Sequence, residues 1–234
     1  MSGIYEFTGE TRTLRISDNE EITLHRIRAK RRFMCNLSVI IAKGELGGWI
    51  EKEDNLKLNG WVADEAMVYG LATVTDNALV KDNAVVCGNA RIGGQAKIDG
   101  NAKISGYASI YGCASVSDFA EVTGYVIIRD HAMVYNFARL SGRVLLSGYA
   151  HIYGKADVTG ITTISDSAEV FDMAKLNGGL EYDHKARVEI GGHAMVYGSA
   201  ELCGDVRVGD RIEIAGVVKL YSGQFMKGND KIFF

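Results

Sequence analysis

The chain is poor in the features that usually announce chemistry. Its 234 residues include four cysteines, Cys35, Cys87, Cys113 and Cys203, and no C-x-x-C pair. That argues against a zinc ribbon or a dithiol redox motif and reads as single thiols in a reducing compartment. Apolar residues make up 47% of the chain, yet no run approaches the roughly 18 residues of a membrane span. No basic segment followed by an apolar stretch opens the sequence, so no secretory leader is expected and the expected location is cytoplasmic. Five histidines are present, none closely paired as zinc ligands often are, so no metal site is expected. The net charge of −3 gives no reason to expect a nucleic-acid partner.

What the sequence does have is a period. From Ala66 to Gly191 it repeats every six residues as Ala-x-Val/Ile/Leu-x-Gly/Asp-x, as in Asn89 to Gly106. Of 21 successive small positions 17 are alanine; the exceptions, Val126, Val144, Thr162 and Leu180, recur every 18 residues. A period of six inside one of 18 describes a three-sided coil, hence a parallel β-helix.

The small and the aliphatic residue of each hexad are two apart and so point to the same side of a short strand. Inner columns are therefore predicted to hold Val68, Ile92, Ile104, Ile110, Val122, Ile152 and Val170, with Lys97, Asp99 and Lys103 facing out. The next position is Gly, Asp or Asn in 19 of 21 cases, the residues that best tolerate a positive φ at a corner. Roughly nine or ten such coils, stacked about 4.8 Å apart, give a helix about 45 Å long.

Three regions follow: an N-terminal cap over 1–47, the helix over 48–223 and a C-terminal cap or tail over 224–234. In the cap, Thr11 to Ile16, a polar turn at Ser17-Asp18-Asn19-Glu20 and Ile22 to Phe33 read as a β-hairpin covering the open strand edges. A register slip of two is expected at Ile190-Gly191-Gly192-His193, with Tyr182 and His184 breaking the pattern before it. The basic stretch His25 to Arg32 reads as a solvated hairpin strand, partly neutralised by Asp18, Glu20 and Glu21.

The hexads resemble those of the left-handed β-helix, the hexapeptide-repeat fold. Gly47-Gly48-Trp49-Ile50-Glu51, followed by Asn55-Leu56, Gly60-Trp61-Val62 and Asp64, resembles the segment that opens the helix in YdcK-type proteins, which are described as transferases and have relatives in phages and prophages. The resemblance covers roughly residues 40–223. It implies a left-handed coil, a homotrimer and, for a transferase, acetyl-coenzyme A bound between prisms with a histidine as base.

The residues themselves weigh against a transferase, because no long loop interrupts the coils to shape a site. The outward columns are more telling. Tyr107, Tyr125, Ile127, Leu145 and Ile161 form one apolar strip and read as an oligomer interface; Tyr135, Tyr153 and Phe171 form another. A ligand site is expected at His131, Tyr135, Tyr149, His151 and Tyr153, where flat rings suit a purine or a protein loop, with His151 the fallback base. The expected function is a non-catalytic binding scaffold without cofactor, a homotrimer presenting its faces to a protein or small molecule; the alternative is a coenzyme-A-dependent acyltransferase.

Overall fold

A computed structural model describes residues 3–179 and 186–233. Alternation of inward and outward residues turns each hexad into a two-to-four-residue strand, and about ten coils stack into a three-sided parallel β-helix. Three sheets result, here called sheets 1, 2 and 3 in chain order from Met67, Thr73 and Leu79. Neighbouring strands in a sheet are 18 residues apart in the lower coils, as in Val85 beneath Lys103 and Val86 beneath Ile104. The predicted inner residues Val68, Ile92, Ile104, Ile110, Val122, Ile152 and Val170 are all buried, and the alanines between them fill the narrower places in each layer. Burying one such aliphatic side chain contributes roughly 1.5–3 kcal/mol, so a repeated core of this kind stabilises coil by coil.

Corners fall where the Gly/Asp positions lie. Asp76, Asp82, Asp130 and Asp166 take positive φ, as do Gly70, Gly88 and Gly106. Aspartate adds something glycine lacks. Its carboxylate accepts the corner N–H of the coil above: Asp76 from Gly94 at 3.0 Å, Asp130 from Gly148 at 3.1 Å and Asp210 from Gly228 at 2.9 Å. Charge-assisted bonds of this sort tie successive corners together.

The opening segment is explained by close packing. A Cβ on Gly47 would lie 2.6 Å from Ile27 and 2.7 Å from the Val62 carbonyl, and one on Gly48 would lie 2.6 Å from the Ala66 carbonyl. Buried Asn55 donates to the Ala72 carbonyl at 2.8 Å and accepts the Lys52 N–H at 2.9 Å, satisfying backbone groups at the entry to the first coils. These residues start the helix; their chemistry is structural.

Strands β1 (Tyr5–Ser17) and β2 (Glu20–Ala29) form the expected hairpin, and β2 pairs antiparallel with β5 (Leu46–Ile50), extending sheet 1. A second hairpin, β3 (Phe33–Cys35) with β4 (Val39–Ile41), sets Phe33 edge-on to Trp61 at 5.5 Å over the end of the core. Glu65 locks the cap to the helix. It accepts Arg12 at 2.6 Å, Arg26 at 2.7 Å and the Trp49 indole N–H at 3.2 Å, while the Arg12 guanidinium lies 4.2 Å over the Trp49 ring. Arg26 is thus neutralised by Glu65, while Asp18 pairs with Arg15 beside it at the hairpin turn.

Two expectations need correction. The register break lies before Val188, not at 190–193: Thr162 pairs with Val188 and Ile164 with Ile190, and the corner contact from Asp166 to Gly192 spans 26 residues. Ala186 consequently lies half-buried outside the core column, because Val188 occupies the place above Thr162. Leu180, Tyr182 and His184 fall outside the described residues. At the other end, Gln224–Met226 and Lys231–Phe233 do not fold back as a cap. They continue sheets 2 and 3 as parallel strands on Val206–Val208 and Glu213–Ala215.

Candidate functional site

The stacking period brings all five expected ligand-site residues onto the outer side of sheet 3 and the corner before it. His131 and Tyr149 stack at 4.9 Å with rings 3° from parallel. Tyr135 and Tyr153 stack at 4.9 Å, and His151 meets Tyr135 edge-on at 6.3 Å. His151 sits mid-strand, with Met133 below and Glu169 above it in the same column. His131 and Tyr149 are exposed; Tyr135, His151 and Tyr153 are half-buried.

The tyrosine column is longer than the sequence period showed. Tyr153 stacks on Phe171 at 4.8 Å and Phe171 on Tyr197 at 4.7 Å. Tyr197 escapes an 18-residue count because the step from Phe171 is 26 residues, as at the neighbouring corner from Asp172 to Gly198. A second pair, Phe119 on Phe137 at 5.1 Å, lies beyond the adjoining corner and was also missed. The signal for it was present: both rings occupy the position after the corner, one coil apart.

This geometry changes what the site offers. Rings that stack on each other use their faces, so a purine cannot slide between Tyr135 and Tyr153. The ladder presents ring edges and phenol hydroxyls, with free faces only at its ends. Tyr153 donates to Glu169 Oε2 at 2.9 Å. Burial first, then that carboxylate, pushes the Tyr153 hydroxyl well above its ordinary pKa, and burial raises Tyr135 similarly, so both stay protonated donors.

The expected interface residues lie on sheet 2 and the corner before it. Tyr107 and Tyr125 stack at 4.9 Å, and Ile127 pairs directly with Leu145. Ile161 pairs with Arg143, whose exposed side chain separates it from Tyr125 in the column, so the strip is interrupted there. Among the described residues no three His, Cys, Asp or Glu side chains are grouped to hold a metal ion, the four cysteines are unpaired, and no helix is long and apolar enough to cross a membrane. Set against protein-family models and curated proteins, the sequence matches none.

Proposed function

We propose that this chain is a non-catalytic binding scaffold: a rigid β-helical prism, assembled as a homotrimer, that presents aromatic outer faces to a protein or small-molecule partner. The observation that carries the reading is the continuous ladder from Tyr135 to Tyr197 on an unbroken, regularly stacked face. The rings shield one another's faces, and their stacked geometry gives a partner a preorganised edge of hydroxyls and ring hydrogens. The trimer reading rests on the second strip, Tyr107, Tyr125, Ile127 and Leu145, because a closed heterologous ring uses two different surfaces of each protomer. Four unpaired cysteines support a reducing cytoplasm as its location, and the resemblance of its opening segment supports a phage or prophage setting.

Calorimetric titration with acetyl-coenzyme A tests the scaffold against the acyltransferase alternative. The scaffold predicts no heat of binding; micromolar binding favours the acyltransferase. With a partner in hand, Tyr153→Ala is expected to weaken affinity more than His151→Ala, whereas a transferase would lose turnover chiefly with the histidine.

A further inference from the structure

Two outward glycines, Gly191 and Gly209, sit one above the other on sheet 2, and the second is not required by the fold. Corner glycines are: Gly192 has a positive φ, and a Cβ there would come within 2.6 Å of the Asp210 carbonyl. Gly209 is different. Its φ is ordinary, and a Cβ built on it meets nothing closer than the Met226 carbonyl at 3.9 Å. Gly191, one coil below, has less room: a Cβ there would lie 3.4 Å from Ser165 Oγ and 3.1 Å from Asp166 Oδ2, which holds the Gly192 N–H at 2.8 Å. Lower coils place Thr75, Gly93, Tyr111, Arg129, Ser147 and Ser165 in this outward column, so it accepts side chains of several sizes. Glycine in an extended position costs about 0.5–1 kcal/mol relative to alanine, and where the fold does not need it, it leaves room for the close approach of a ligand or another backbone.

The two glycines floor a cleft of about 500 Å³ on the outer face of sheet 2, within the size range of small-molecule sites. Their N–H groups are already bonded along the helix axis, Gly191 to Val208 at 2.9 Å and Gly209 to Met226 at 3.0 Å. The floor therefore offers Cα hydrogens, flat and apolar. Phe225 forms one wall, with the Arg207 guanidinium 4.9 Å from its ring centre. Arg207 is itself neutralised by Glu189 at 3.2 Å and Asp205 at 3.7 Å. Lys227 also lines the cleft and forms no ion pair among the described residues, which leaves one uncompensated cation at an apolar slot.

We propose that this cleft binds a small planar aromatic anion, its ring lying over Gly191 and Gly209 and its charged group reaching Lys227. The site is separate from the aromatic ladder on sheet 3. The probe is 1-anilinonaphthalene-8-sulfonate, whose flat naphthalene carries one sulfonate and an anilino ring turned out of its plane, titrated by fluorescence and calorimetry. One site per chain is expected in the wild type. Gly209→Leu fills the floor without straining the backbone and should weaken binding about tenfold with an unchanged melting temperature. Lys227→Gln should weaken it about two- to fivefold and flatten its salt dependence, and this exposed substitution carries the test if the leucine variant folds poorly. Unchanged affinity in both variants overturns the proposal, as does loss of binding in Tyr153→Ala alone, which would place the probe on the ladder.

Discussion

Sheets 1 and 3 share one backbone and one kind of core, yet their outer columns are filled differently. Sheet 1 carries an alternating ladder: Glu121 lies 3.8 Å from Lys103 and 3.4 Å from Arg139, and Glu201 lies 3.8 Å from Lys175 and 2.9 Å from Lys219. Charges stacked one strand spacing apart must alternate, since like charges directly opposite destabilise a sheet. Such a face is satisfied in water. In the next outward column, where sheet 1 has Ser105, Thr123, Ser141 and Thr159, sheet 3 places Tyr135, Tyr153, Phe171 and Tyr197. Because the inner columns decide the fold, the outer ones are free to serve other ends, and the comparison sets a charged face satisfied in water beside the face that the scaffold reading assigns to contact.

The sharpest way to break this comparison is to put charge where the account expects contact. Ile127→Asp with Leu145→Asp, neighbours across sheet 2, should reduce the mass seen by light scattering to about one third while β-sheet circular dichroism persists. Lys103→Ser on sheet 1 should leave the mass unchanged. A wild-type monomer in dilute solution would contradict the trimer.

Inside against outside comes next. Ala120→Leu adds bulk to a fully buried position and should cost about 1–3 kcal/mol, whereas Lys103→Leu on the outer face should stay within about 0.5 kcal/mol. Equal falls in melting temperature would contradict the assignment of the two columns.

The cap supplies a smaller effect. Hydrogen bonds from Arg26 and then Arg12 hold the Glu65 carboxyl at about 2, below its ordinary 4.5. A carboxyl with a depressed folded pKa contributes stability that is fully present above its unfolded pKa and is lost as pH falls from about 4.5 toward 2. Glu65 is 46% exposed, so water screens the cluster and about 1 kcal/mol is expected. Chemical denaturation across that window should show the loss in the wild type and not in Glu65→Gln. Smallest of all, Tyr153→Phe removes one hydrogen bond to Glu169 and keeps the stacked ring, so calorimetry should register a loss of only about 0.5 kcal/mol.

Much of the fold was legible because short-range steric rules repeat. Alanine beside isoleucine and a φ-tolerant corner every six residues fix strand, turn and stacking together. The break before Val188 was hidden because its partners lie 26 residues apart, two more than a whole number of hexads, so the beat resumes before the shift becomes visible. Tyr197 was lost from its column for the same reason. The Arg12–Glu65–Arg26–Trp49 cluster joins segments that no local pattern relates. At the candidate site the period placed His131 with Tyr149 and Tyr135 with Tyr153 correctly, but it could not show that the stacked rings use up one another's faces.

Two tyrosines allow the central claim to be tested directly. Tyr125, beside sheet 2, is 55% exposed in the single chain and Tyr221, at the end of sheet 1, is 59% exposed, so an isolated prism would present them almost equally. Hydroxyl-radical footprinting of the wild-type protein, read by mass spectrometry, compares their oxidation. The account predicts strong protection of Tyr125, lost in the double-aspartate variant, with Tyr221 fully labelled. Equal labelling of Tyr125 and Tyr221 would contradict it.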